Sequence, residues 1–173
     1  MKELASSYAS VDKSLDIKSL RQLVKQETGL TVRRMDAFTL IALLGVYRAK
    51  GELLLSKRTG LYSCADYFSS DLMQSMLFDL HKAQPIKPLS FVASVGNAAN
   101  YYLANTFSIY GPNIFLGSSE HAMDKNCMLA QTDMSLGIID QAIILVWQED
   151  EKKRQCWVKI VENDVFFNEQ VSI

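Results

Sequence analysis

Apolar residues fall at helical spacing early in the chain. Ile17, Leu20, Leu23 and Val24 share one face and Gly29 follows them, so residues 17–26 are predicted as an amphipathic helix. Residues 35–49 carry apolar side chains almost all the way round, the pattern of a helix enclosed on every side. Residues 52–55 are predicted as a short strand and Thr59-Gly60 as a turn. Leu72, Met76, Leu77 and Leu80 place another helix over residues 71–82. The character then changes: residues 83–119 hold a single charge, Lys87, and all three prolines, Pro85, Pro88 and Pro112. This stretch reads as a loop, a helix over 96–107, a turn at Gly111-Pro112-Asn113 and a strand over 114–116. A segment so poor in charge belongs inside the fold or against another chain. Residues 123–136 form a further helix ended by Gly137, and 138–147 form an apolar strand. A charged turn over 148–154 leads to a last strand over 155–161. The order of elements is that of an α/β layer fold.

Composition narrows the class. A chain of 173 residues, 49% hydrophobic and 21% charged, suits one domain with a full core. Eighteen Lys and Arg against nineteen Asp and Glu leave a net charge of -1, which argues against nucleic acid as a partner. Charge is uneven, with eleven basic and six acidic residues in positions 1–60. That excess reads either as a docking face or as solvated helix surface. Cys64, Cys127 and Cys156 are odd in number and far apart, neither a disulfide framework nor a zinc pattern. Together with the absence of a signal-peptide core or a span-length apolar run, they point to the cytoplasm, with no membrane span.

Local chemistry is sparse. Ser118, Ser119, Glu120 and His121 are adjacent, but neighbours on a strand point to opposite faces, so they do not make a triad. His121 with Asp124 or Cys127 lacks the second cluster that a metal site needs, so no metal and no cofactor are expected. Cys127 and Cys156 read as small core residues. Tyr101, Tyr102 and Phe107 read as core aromatics first and as a ligand pocket second.

Three segments together go further. Arg33-Arg34-Met35-Asp36-Ala37-Phe38 resembles the Arg-(Arg/Lys)-Met-Asp-x-Phe opening of an early helix in β-ketoacyl synthases of the thiolase fold. Pro88, Ser94-Val95-Gly96-Asn97 and Gly111-Pro112-Asn113 are similar to the same enzymes' Pro, Asn and Gly-Pro-Asn segment, with matching gaps. Gly137-Ile138-Ile139-Asp140-Gln141-Ala142 resembles their Gly-x-x-Asp-x-Ala strand. The match runs over about residues 33–148. It implies an α/β fold for residues 1–173, half of a thiolase-like domain of the N-terminal type, with a mixed sheet and helices on its faces.

The departures carry the functional implication. Counting from Gly111, the family's nucleophilic cysteine falls on Glu120, at a helix N-terminus whose field would keep a carboxylate ionised. A carboxylate is a poor acceptor for an acyl chain, and the family's two histidines belong to a second half that this sequence does not include. The family's first strand is weak, with residues 4–11 as its only candidate. The resemblance therefore implies a non-catalytic chain-length-factor-like subunit, of the kind found with aryl-polyene and polyketide systems. Its implied partner is a full-length β-ketoacyl synthase, with acyl carrier protein a further partner. The family's dimer strand corresponds to Asn113, Ile114, Phe115, Leu116, Gly117 and Ser118. A lone half also implies a broad apolar face left open. Leu61 and Tyr62 (in an expected loop), Ser90, Phe91 and Tyr101 correspond to the wall of the partner's acyl tunnel. A stand-alone decarboxylase of malonyl-carrier thioesters and a homodimeric scaffold for acyl carrier protein are the alternatives.

Overall fold

A computed structural model of the chain describes residues 1–66, 70–117 and 120–164. The strands are β1 (Lys2–Asp12), β2 (Thr59–Ala65), β3 (Asn113–Gly117), β4 (Gln141–Glu149) and β5 (Lys153–Glu162). The helices are α1 (Ile17–Thr28), α2 (Ala37–Lys50), α3 (Ser70–His81), α4 (Pro88–Ala93), α5 (Ala98–Phe107) and α6 (Ala122–Ser135). One mixed sheet runs in the order β1-β5-β4-β2-β3. β2 is parallel to β3 and β4, whereas β5 is antiparallel to β4 and β1. This is the α/β arrangement that the sequence predicts, with helices on both faces.

Helix ends follow their caps. The Asp16 carboxylate accepts from the backbone N–H groups of Lys18 and Ser19, and Gly29 closes α1 in the left-handed conformation at φ 69°. Asp36 caps α2 by accepting from the Thr39 N–H. α2 buries Leu40, Ile41, Leu43, Leu44 and Val46 together because it lies on β1 and β5 while α1 and α5 flank it. Gly45 allows the close approach: a Cβ there would sit 2.8 Å from Val158 Cγ2. Across the sheet, α6 packs over β2 and β4, which are consequently buried on both faces.

The structure corrects several local expectations. Residues 52–55 join no sheet, and Leu54 is 85% exposed. The strand begins at Thr59 instead, so Thr59-Gly60 opens β2 rather than making a turn. Leu61 and Tyr62, expected in a loop, are therefore in a buried strand. The first strand is also no weak candidate, since β1 extends over eleven residues and pairs with β5 along almost its whole length. A helix that the sequence pattern does not show, α4, interrupts the supposed loop before α5 and starts with Pro88, whose missing N–H costs nothing in a first turn. Among the described residues, no helix is long and apolar enough to cross a membrane.

Gly111 joins the turn before β3 to the start of β2. Its N–H donates to the Thr59 carbonyl at 3.1 Å, and a Cβ on it would come within 2.5 Å of that same oxygen. Because the clash is with backbone, side-chain repacking cannot relieve it. Gly111→Ala should lower stability by about 1–3 kcal/mol in urea unfolding; an unchanged midpoint would show that the turn moves freely.

Candidate functional site: an open sheet edge and the turn before the last helix

β3 forms one edge of the sheet, and among the described residues no strand pairs with its outer side. Its side chains alternate as a pleat requires. Ile114 and Leu116 pack towards α6, whereas Phe115 packs into the main core beside α5, against Gly96. The Asn100 Nδ2 donates to the Ile114 carbonyl at 3.1 Å, so the strand is also pinned from α5 by a buried amide. What faces outward from β3 is thus backbone, and its apolar side chains are tied to the two helices. Charging Phe115 or Leu116 would disturb the fold itself. Ser118, expected in the same strand, lies outside the described residues.

The opposite edge, β1, is built differently. It carries Lys2, Glu3 and Asp12, and its register shifts between Glu3 and Ala5. Charges and a bulge are the devices by which an edge strand discourages pairing with another chain. β3 (Asn-Ile-Phe-Leu-Gly) has no charge, and its register with β2 runs without a shift.

Beside β3 the surface is apolar. Phe91 on α4 is 63% exposed and Tyr101 on α5 is 65% exposed, with Val92, Val95 and Tyr110 also open. α3, elsewhere on the surface, also exposes Leu77, Phe78 and Leu80. The expected pair Tyr101 and Tyr102 separates here: Tyr102 and Phe107 pack against the core, whereas Tyr101 turns outward and touches Tyr102 edge-on. Ser90 is half-buried and lines a cleft on the other side of α4. Leu61 and Tyr62 both have 0% exposure, on opposite faces of β2. The Tyr62 hydroxyl donates to the Asp133 carboxylate on α6.

The turn after β3 places Glu120 at the surface, two residues before α6 begins. His121 adopts a left-handed backbone at φ 51°, and its Nδ1 lies 3.6 Å from Asp124 Oδ2, both side chains well exposed. The chain's other histidine, His81, is exposed at the end of α3. Among the described residues, no group of three or more His, Cys, Asp or Glu is placed to hold a metal ion. Burial pushes the Cys127 and Cys156 thiols up, away from the reactive thiolate form.

On the α6 side, Met128 and Leu136 are exposed, but where α6 leaves β1 and β5 uncovered, Ser6, Ser10, Gln155 and Lys159 accompany the Tyr8–Trp157 ring pair, and Lys159 pairs with Glu3. A further group of exposed apolar side chains lies on α4 and α5 towards the β3 end. Sequence reasoning found that region through its lack of charge but missed the contrast between the two edges, which only the strand order reveals.

No family model matches the chain. No curated protein matches it significantly. Solved structures do match. The ishigamide ketosynthase/chain length factor superposes with a TM-score of 0.69 at 14% identity, over 95% of this chain and 63% of that one. A ketosynthase (ApeO) in complex with its chain length factor (ApeC) from Xenorhabdus doucetiae gives 0.68 at 9% identity, over 94% and 79%. AntDE:AntF, a type II polyketide synthase acyl-carrier protein in complex with its ketosynthase, gives 0.64 at 11%, over 95% and 64%. The chain therefore has the ketosynthase fold, and it spans less than two thirds of the first and third of these chains. At such identities the likeness establishes architecture, and function must be argued from the surface.

Tyr62 yields a test of the buried strand. Desolvation, then the Asp133 carboxylate, holds its phenol well above the usual tyrosine value of 10.0. A raised folded-state value means that this contribution is intact below pH 10 and is lost as pH rises further. Tyr62→Phe should cost about 0.5–1.5 kcal/mol at neutral pH and flatten the fall in stability above pH 10. An equally steep alkaline fall in the variant would show that Tyr62 is not its source.

Proposed function

We propose that the chain is a non-catalytic, chain-length-factor-like subunit that pairs with an active β-ketoacyl synthase and shapes the acyl tunnel of the pair, in polyene or polyketide-type synthesis. The observation that carries this reading is the uncharged, unshifted edge of β3 beside exposed Phe91, Val95 and Tyr101, while the opposite edge is charged and bulged. An unguarded edge of this kind is an aggregation hazard unless another chain covers it. Structures of the same fold include a ketosynthase in complex with its chain length factor, which supports a ketosynthase as the covering chain, and an acyl-carrier protein in complex with its ketosynthase, which supports acyl carrier protein as a further contact of the assembled pair.

The lack of catalysis rests on Glu120. It follows β3 and precedes α6, where the resemblance puts the acyl-accepting cysteine. A carboxylate would form a mixed anhydride instead of a thioester, and neither exposed histidine belongs to a buried acid–base pair. Of the tunnel residues suggested by the sequence, Phe91 and Tyr101 are free to meet a partner's acyl chain, whereas Leu61 and Tyr62 are held in the core. Overfilling a packed channel is costly, so a ring at its end would stop a growing chain.

Co-expression with a full-length ketosynthase from the same organism should yield a one-to-one complex by native mass measurement. The purified chain alone should form no carbon–carbon bond from acyl- and malonyl-carrier substrates, and Glu120→Cys should not create that activity. Within the complex, Phe91→Ala should lengthen the products while leaving the first condensation nearly unchanged. Condensation by the single chain, or failure to pair with the ketosynthase, would contradict the reading.

A further inference from the structure

At the far end of the sheet from Met1, the carboxyl ends of the parallel strands β2 and β4 open into a cleft of about 1150 Å³. Ligands of open α/β sheets bind at this end of the strands, and the volume lies just above the roughly 300–1,000 Å³ range of small-molecule sites. Leu15, Ile17, Phe38, Ile41, Leu72 and Trp147 give it an apolar lining. Trp147 is fixed there: its ring stacks on Phe38 at 4.0 Å between centroids, and its Nε1 donates to the Phe38 carbonyl.

The charged rim is unequal in what it has to offer. Five acidic residues line the cleft, and four already have structural work. Asp16 and Asp36 cap α1 and α2. Glu149 pairs with Lys13 at 2.6 Å and lies 3.6 Å from Arg154. Asp150 accepts from Gln155 Nε2 and from the Lys152 and Lys153 N–H groups, and the two backbone hydrogen bonds hold its carboxyl below the usual range. Asp66 alone among these acids has no such role among the described residues. On the basic side, Arg21 is spent on the Met35 carbonyl, but Arg33 and Arg34 are exposed and form no ion pair among the described residues. Arg34 also holds a left-handed backbone at φ 67°, a strained conformation for a non-glycine residue. Two adjacent guanidiniums therefore stand at the mouth of an apolar cleft with their donors available.

We infer that this cleft binds an anionic amphiphile, a carboxylate or phosphate head on an apolar body, with Arg33 and Arg34 receiving the head and the Phe38–Trp147 region receiving the body. Guanidinium forks match both head groups in geometry, so the head's identity is a question for the probe. The site lies on different residues from the β3 edge, and it can be tested on the chain alone, independently of any ketosynthase.

Trp147 is a built-in reporter. The chain has two tryptophans, and Trp157 lies on the opposite face of the sheet, so Trp157→Phe leaves Trp147 as the only indole. Its fluorescence would be titrated with dodecanoate, dodecyl phosphate and uncharged dodecanol, each below its aggregation limit. At least one anionic probe should give a saturable change, the effective head group identifying carboxylate or phosphate as the preferred anion. Arg33→Glu with Arg34→Glu should raise the Kd of that probe at least tenfold without altering the circular dichroism, while the dodecanol response stays as it was. Arg33→Gln with Arg34→Gln should fall between. No saturable change with either anion would overturn the inference, as would an unchanged Kd in the charge-reversed variant.

Discussion

The burial of α2 on nearly all its sides sets the arrangement of everything around it. A helix with Leu40, Leu43, Leu44 and Val46 pointing in different directions gives water little beyond Tyr47 and Arg48. It must lie on a sheet and be flanked by other helices, and β1, β5, α1 and α5 meet that demand. Gly45 brings its axis close to Val158, and Ser7 Oγ donates to the Gly45 carbonyl at 2.6 Å, so contact between helix and sheet is polar as well as apolar. Arg48 then ties the far side of α2 to Glu27 of α1 through two hydrogen bonds. That pair is well exposed and contributes little by itself.

From that packing follows an asymmetry between the ends of the molecule. The β1 side is held by α2 and ends in a charged, bulged strand. The β3 side is held by α5 and α6, and it ends in a short uncharged strand with exposed rings beside it. Because β3 keeps its own side chains engaged with those two helices, a partner is offered main chain at the edge and aromatic surface next to it. Recognition of that sort depends on backbone hydrogen bonds for affinity and on flanking side chains for selectivity.

Helices were legible in the sequence wherever a cap and a period agreed. Gly29 after α1 marks an end that the structure confirms, whereas the caps Asp16 and Asp36 carry no periodic signal, and α2 begins at Ala37 rather than at residue 35. Strands were less so. Tyr62, Ser63, Cys64 and Ala65 show neither alternation nor a β-branched side chain, and their strand exists because β3 and β4 pair with it on both sides. β1 is rich in Ala and Ser for the same reason: pairing with β5, more than propensity, makes it a strand. The lack of charge over 83–119 coincides with exposed Phe91, Val95 and Tyr101, but it could not say which residues face outward, since Tyr101 and Tyr102 are neighbours with opposite fates. The cleft was invisible because its walls come from three distant stretches of chain that only the sheet brings together.

The central claim is that the β3 edge is where a ketosynthase attaches. Amide hydrogen exchange, followed for this chain alone and then in complex with a co-expressed ketosynthase, tests it most directly. The account predicts that exchange over Asn113–Gly117 and at Phe91, Val95 and Tyr101 slows strongly in the complex, while β1 keeps the rates it has in the free chain. A complex in which β3 exchanges as before, with new protection on β1 or on the outer face of α6, would contradict it.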